Sequence, residues 1–189
     1  ASQTVVRPDL REVTPVLYVD PVTDFSVKGH AGLASSKLDN LDVRWEWYTP
    51  TGNSLSVGAF YKDIDAPIET VEILGSDGNL LVSFRNAEQG RLYGLETEFV
   101  YQLAGLWQQA PTWLEQFFVA GNLTLSDSDI RIQALGESNL THQTRRMSGH
   151  SKYVVNSQLG FDSLNQKHSA TLSYNVFGAR INFAGVDGK

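Results

Sequence analysis

Six segments of the chain alternate between apolar and polar residues, and this period of two is the feature that most restricts how the chain can fold. Successive side chains of a strand point to opposite faces, so such alternation predicts strands with one oily and one polar face. The alternating segments are residues 41–47, 54–62, 93–101, 119–126, 153–162 and 170–176. They predict an all-β fold in which about seven or eight strands form a serial antiparallel meander.

The first of these segments has the clearest pattern. One face carries Leu41, Val43, Trp45 and Trp47, and the other carries Asp42, Arg44 and Glu46. Residues 49–53, with the sequence Thr-Pro-Thr-Gly-Asn, have the composition of a tight turn. They connect this segment to residues 54–62, so the two segments are predicted to form a hairpin.

The connections alternate in length. Residues 49–53, 104–114 and 163–167 are compact, whereas residues 65–83 and 127–150 are long, polar and rich in Gly, Asp and Ser. A transmembrane β-barrel has short turns at one rim, longer loops at the other, an apolar face toward lipid and a polar lumen. The pattern therefore favours a section of such a barrel.

A soluble β-sandwich is the alternative, because it also has strands with one apolar and one polar face. Aromatic residues near the strand ends favour the membrane, where they form girdles at the two interfaces. The predicted outward aromatic residues are Trp45, Trp47, Tyr48, Tyr61, Tyr93, Tyr101 and Phe161.

Composition excludes several other classes of protein. The 189 residues include no cysteine, which excludes disulfide scaffolds, Cys-ligated zinc and iron–sulfur sites. A formal net charge of −6 argues against nucleic acid as a partner. No apolar run approaches the roughly 18 residues of a membrane-spanning helix, and the first residues do not resemble a signal peptide.

Several local motifs follow one another along nearly the whole chain. They are Thr4-Val5-Val6-Arg7-Pro8-Asp9-Leu10-Arg11-Glu12, Leu38 to Tyr48, Ala59-Phe60-Tyr61-Lys62, Asn86-Ala87-Glu88 with Tyr93-Gly94-Leu95-Glu96, Arg145 to Ser151 with Asn156, and Asn175 to Ile181. In this order they resemble the C-terminal half of the barrel of TonB-dependent outer-membrane receptors. The segment from Asn86 to Glu96 is the most specific part. One departure is His150, where the family pattern more often has an amide side chain.

The resemblance implies a location in the outer membrane of a Gram-negative bacterium and a function in TonB-energised uptake of a scarce ligand, such as a ferric siderophore, cobalamin or an oligosaccharide. It also implies contacts with outer-membrane lipid, the remainder of the barrel, a plug domain and, through an N-terminal part not seen here, TonB. Family members carry that plug and a terminal strand ending in an aromatic residue. Residues 1–189 lack both patterns, so we expect one partial barrel domain. A soluble carbohydrate- or protein-binding β-domain is the alternative function.

Candidate ligand-facing residues come from the polar faces and from one basic cluster. Arg44, Glu46, Glu96 and Glu98, together with Asp42, are predicted to face the lumen, where they would contact plug, solute or water. Arg145 and Arg146, with Lys152 and His150 nearby, could meet an anionic ligand or lipopolysaccharide phosphates.

No enzyme, cofactor or metal site is predicted. The histidines His30, His142, His150 and His168 lack metal-ligand spacing, although His142 and His150 share one predicted loop. No phosphate loop, nucleophile elbow or zinc-protease motif occurs in the sequence. A barrel enzyme would require a nucleophile and a base that no motif supplies, so we expect a receptor without catalytic residues.

Overall fold

The structure is a computed structural model and describes residues 1–75, 78–106, 109–131 and 144–181. Its strands are β1 (Ser2–Val6), β2 (Leu17–Val19), β3 (Ser26–Lys28), β4 (Ser36–Tyr48), β5 (Ser54–Asp65), β6 (Ile68–Leu74), β7 (Leu80–Asn86), β8 (Gln89–Gln102), β9 (Phe117–Arg131), β10 (Thr144–Arg145), β11 (Tyr153–Asp162) and β12 (Ser169–Phe177). A short helix, α1, spans Leu10–Val13, and two 3₁₀ helices span Leu103–Leu106 and Thr112–Gln116.

The main sheet has eight strands in the order β1-β4-β5-β8-β9-β11-β12, with β10 also paired to β9. Every pair in it is antiparallel. All six alternating segments lie within its strands, which confirms the predicted all-β antiparallel meander. Within the described residues the sheet does not close, since β1 and β12 each have one unpaired edge.

The long strands of the meander run between two rims of the main sheet. The turn rim carries the short connections at residues 49–53, 103–116 and 163–168, and the loop rim carries the longer ones. At the turn rim the rings of Trp113 and Phe117 meet edge to face at 5.9 Å, and Phe117 lies 5.0 Å from the ring of Phe161. None of the helices in the described part of the chain is long and apolar enough to cross a bilayer.

A second sheet lies at the loop rim, and the sequence did not predict it. It has the order β2-β3-β7-β6 and pairs residues 17–28 with the hairpin of β6 and β7. The prediction of a long polar loop at residues 65–83 is therefore wrong. Val27 and Val82 are register partners in this small sheet, and both are buried. Residues 68–86 form strands because they pack against the distant residues 17–28, although their local sequence indicated a loop.

The two faces of the main sheet differ in chemistry, and neither is covered. On the apolar face Leu95 is 54% exposed and Leu172 is 72% exposed. Most buried apolar residues instead lie near the loop rim, where Ile130 is completely buried and Ile64 and Ala87 are nearly so, and Leu114 is buried at the turn rim. The main sheet thus has no apolar core of its own among the described residues.

Tyr48 corrects one detail of the predicted aromatic girdle. Its hydroxyl donates to Glu46 Oε2 at 2.9 Å, so this side chain lies on the polar face. Residue 48 has the same parity as Glu46, and alternation places both on one side of the strand. Trp45, Trp47 and Tyr93 are exposed on the apolar face, as predicted.

Candidate functional site

A row of polar side chains crosses the main sheet on the face opposite to Trp45 and Leu95. Its members are successive register partners, one from each of six strands: Glu46, Ser56, Glu98, Asn122, Asn156 and Asn175. Partners opposite one another across antiparallel strands project to the same face. Asn156 Nδ2 donates to Asn122 Oδ1 at 2.6 Å within the row.

Two adjoining grooves follow this row. The larger has a volume of about 490 Å³, and its lining includes Asp42, Arg44, Phe60, Glu96, Glu98 and Thr124. The smaller, of about 240 Å³, shares Glu98 and Asn122 with it and continues to Asn156, Gln158 and Asn175. Carboxylates, a guanidinium and amides therefore share one concave surface, which can bind a polar surface or solute through hydrogen bonds.

Arg44 links the acidic groups at one end of the row. Its Nε lies 2.6 Å from Glu46 Oε1, and its second terminal nitrogen lies 3.1 Å from Glu98 Oε2 on β8. All three side chains are at least two-fifths exposed. Exposed pairs of this kind contribute only about 0 to 1 kcal/mol to stability, so the network can exchange partners at little cost.

A buried ion pair joins the small sheet to residues 145–148 at the loop rim. Glu69 on β6 is 4% exposed, and its Oε2 accepts from Arg145 at 2.8 Å. The same oxygen accepts from the backbone N–H of Ser148 at 3.2 Å and from its hydroxyl at 2.9 Å. Glu69 thus holds residues 145–148 against the small sheet.

His150 lies across two serines of β9. Its Nε2 is 2.9 Å from Ser126 Oγ, and its Nδ1 is 2.8 Å from Ser128 Oγ. Ser128 Oγ also accepts from the backbone N–H of Met147 at 3.1 Å. Burial lowers the pKa of His150, an effect that the neighbouring Asp127 carboxylate partly opposes.

Asn86 joins the small sheet to the main sheet. Its Oδ1 accepts from the Ala34 N–H at 2.8 Å, and its Nδ2 donates to the carbonyls of Ala34 at 3.0 Å and Ala66 at 2.8 Å. The Asn86-Ala87 pair belongs to the most specific motif of the sequence. Its structural role is now clear, because one amide holds together three separate segments at the loop rim.

The structure brings together four of the six predicted site residues. Arg44, Glu46 and Glu98 form one network, and Glu96 lines the same groove. Arg145 instead pairs with Glu69, and Arg146 lies half-buried in the same segment. A ligand-binding role for any of the six stays a prediction.

Sequence reasoning missed Glu69 and the contacts of Asn86 and His150. Glu69 stands 76 positions from Arg145, and no local pattern marks such a pair. The one available signal was the specificity of the Asn86 motif. His142 lies outside the described residues, and within those residues no group of His, Asp and Glu could hold a metal ion.

Comparisons with known proteins agree with this architecture. The family model described as TonB dependent receptor-like, beta-barrel, matches residues 1–188. The crystal structure of the siderophore receptor PirA from Pseudomonas aeruginosa is similar, with a TM-score of 0.55 and 17% sequence identity. That match covers 93% of this chain and 29% of the PirA chain. No curated protein matches the sequence.

The PirA likeness shows the fold, and the match to the family model extends over almost every residue of the chain. The two-faced meander with its polar row and its elaborated loop rim is the architecture expected of a section of a large barrel wall. The chain belongs to the TonB-dependent receptor β-barrel family.

Proposed function

We propose that residues 1–189 form part of the barrel wall and loops of an outer-membrane receptor that imports a scarce ligand with energy from TonB. The observation that carries this proposal is the contrast between the two faces of one sheet. Leu95 and Trp45 are more than half exposed on one face, and the polar grooves occupy the other. A sheet with this pattern is stable when lipid covers the first face and a polar interior meets the second.

The proposed ligand class is a ferric siderophore, with cobalamin or an oligosaccharide as the other members of the set. The likeness to a protein described as a siderophore receptor supports the first choice. Arg44 and the row from Glu46 to Asn175 are proposed to contact the plug domain or the passing solute. Their hydrogen-bonding groups suit either partner, and the proposed binding leaves the ligand chemically unchanged.

The remaining proposed partners follow from the same architecture. Outer-membrane lipid would cover the apolar face, and the free edges of β1 and β12 would pair with the remainder of the barrel. TonB would act through a plug domain and would not touch this chain. The proposed location is the outer membrane of a Gram-negative bacterium, and no enzymatic activity is proposed.

An uptake assay tests the function in cells that produce the intact receptor. The gene is deleted, and cells are supplied separately with ⁵⁵Fe-labelled hydroxamate and catecholate siderophores, ⁵⁷Co-labelled cyanocobalamin and a labelled maltooligosaccharide. We expect the deletion to abolish accumulation of one iron complex, and a proton uncoupler to abolish it in the parent strain. Surface binding of that complex should survive the uncoupler.

Variants of the groove make the assay more specific. Arg44→Gln removes the positive charge at the centre of the acidic network. Gln3→Ala on β1 is the matched control, because the Gln3 side chain contacts Asp39 and lines neither groove. Altered uptake by Arg44→Gln at normal surface abundance would support a role of the groove. Unchanged accumulation of all four labelled compounds in the deletion strain would contradict the proposed function.

A further inference from the structure

We propose that His150 is a pH-sensitive pin that holds residues 145–151 against β9, and that acidification releases this segment at the loop rim. The inference does not depend on which ligand the receptor takes. It rests on a directional chain of hydrogen bonds through both ring nitrogens of His150.

Two backbone groups with fixed roles, the N–H of Met147 and the carbonyl of Ser151, lie at the two ends of the chain. The backbone N–H of Met147 can only donate, so Ser128 Oγ accepts from it and has its own proton free for His150 Nδ1. At the other end Ser126 Oγ donates to the carbonyl of Ser151 at 3.4 Å and accepts from His150 Nε2. Neutral imidazole with its proton on Nε2 is the form in which the hydroxyl protons of both Ser126 and Ser128 have an acceptor.

Protonation of His150 breaks this order. A second ring proton turns Nδ1 into a donor, so it faces a Ser128 hydroxyl that was donating to it. Ser128 Oγ would then accept from both Met147 and His150, and its own proton would lose its acceptor. A partly buried hydroxyl without a partner is costly, so the charged ring is better accommodated after the segment leaves β9.

The charged groups around His150 do not cancel this effect. Asp127 on β9 favours the protonated ring, but it also pairs with Lys152 at 3.6 Å. Arg146 on the segment that carries His150, and Lys152 just after that segment, oppose protonation. Beyond the end of β12, the Arg180 guanidinium lies over the Phe177 ring at 3.9 Å, and the carbonyl of the next residue, Ile181, accepts from the Gly149 N–H. Arg145 is neutralised by Glu69.

The sign of the pH dependence follows from these contacts. Burial lowers the pKa of His150 in the pinned state below the ordinary value of about 6.5. Above that value both states hold neutral histidine, so the pin is fully stabilising. As the pH falls below it, the released state takes up a proton first, and the pinned state loses stability progressively.

Hydrogen exchange on the intact receptor in detergent micelles tests the proposal. The protection of peptides covering residues 145–151 is compared between wild type and His150→Gln at pH 7.5 and pH 5, so that the intrinsic pH dependence of exchange cancels in the ratio. Glutamine keeps polar contacts and does not titrate. Wild-type protection, relative to the variant, should fall about fivefold at pH 5, the change expected for one lost hydrogen bond.

A second measurement needs no variant. Deuterium exchange at the imidazole C2 position titrates each histidine of the wild-type protein, and His150 should titrate below the value usual for an exposed histidine. The same hydrogen-exchange comparison on Glu69→Gln and Asp127→Asn shows whether either carboxylate, and not His150, causes the pH dependence. The proposal is overturned if His150→Gln keeps the wild-type pH dependence, if either carboxylate variant abolishes it while His150→Gln does not, or if His150 titrates at or above the ordinary value.

Discussion

At the scale of single residues, ion pairs at two places in the barrel wall differ greatly in how much stability is lost when one partner is removed. Arg44 and its carboxylates are exposed, whereas Glu69 and Arg145 are 5% and 16% exposed at their side chains. A buried charge that loses its partner keeps its desolvation penalty, while an exposed charge is rehydrated. This difference leads to two contrasting predictions.

Replacing Glu69 by Gln should open the loop rim locally. The change leaves the Arg145 guanidinium without its carboxylate and weakens two contacts of Ser148, at a cost of about 2 to 3 kcal/mol. Hydrogen exchange at the Ser148 amide measures the effect. Glu88→Gln, at an exposed site near the same rim, is the control and should change little. Equal protection in both variants would mean that Glu69 does not hold the loop.

Replacing Arg44 by Ala should change the unfolding free energy of the assembled barrel by less than about 1 kcal/mol, because its ion pairs are exposed. Ile130→Ala is the comparison, since Ile130 is completely buried and should cost about 2 to 5 kcal/mol. Heat-dependent mobility on gels gives the midpoint of unfolding for both. A larger loss for Arg44→Ala than for Ile130→Ala would show that the ion pairs of Arg44 stabilise the fold.

At the scale of strands, three glycines lie directly opposite phenylalanines of the neighbouring strand. The register partners are Phe60 with Gly94, Phe99 with Gly121, and Phe118 with Gly160. The glycine leaves room for the ring to lie across the strand, which joins adjacent strands and helps to set their register. A β-carbon at Gly121 would lie 3.0 Å from the ring of Phe99.

Gly94→Ala should therefore impair the pairing of β5 with β8. The new β-carbon would lie 2.8 Å from both the Phe60 ring and Ser126 Cβ, and it would also clash with the backbone oxygen of Leu125. Overpacking of this kind costs about 1 to 3 kcal/mol. Gly58→Ala is the matched control, because its nearest neighbour would be a carbonyl oxygen at 3.6 Å. The yield of folded, heat-modifiable receptor should fall only for Gly94→Ala.

At the scale of the whole molecule, stability depends on what covers the apolar face. Among the described residues no second layer covers this face, and the buried apolar side chains lie near the loop rim, in the small sheet and, for Leu114, at the turn rim. In the proposed membrane environment, such a sheet would gain stability from hydrocarbon over this face and from closure with further strands. The effect of an added charged side chain on assembly should then depend on which face of the sheet carries it.

Leu95→Arg and Thr124→Arg test this directly. Leu95 lies on the apolar face of β8, whereas Thr124 lines the polar groove as the register partner of Glu96. Arginine facing the bilayer midplane costs about 2 to 4 kcal/mol, so Leu95→Arg should lower the amount of receptor assembled in the outer membrane and Thr124→Arg should not. If both variants and the wild type were recovered as soluble protein, the alternative hypothesis of a soluble β-domain would be correct.

Much of the main sheet could be predicted from the sequence because its determinants are local. Alternation over neighbouring residues defines a strand and its two faces, and turn residues such as Pro50 and Gly52 define where a strand ends. The shared face of Arg44, Glu46 and Glu98 follows from parity, because each of them alternates with apolar residues on its own strand. The same parity places Tyr48 on the polar face, but its aromatic side chain led to the prediction that it faces outward.

The loop rim was decided by tertiary structure. The parallel pairing of β3 with β7 joins Val27 to Val82, and Glu69 meets Arg145 across 76 positions. Contacts of that kind depend on which distant segments the strands bring to the same rim, and no periodicity encodes them. The sequence by itself determined six strands of the main sheet, their faces and their serial order, because these follow from neighbouring side chains. Only the tertiary structure decided the small sheet, the buried ion pair and the seat of His150, because each is made by segments that meet only after the meander has formed.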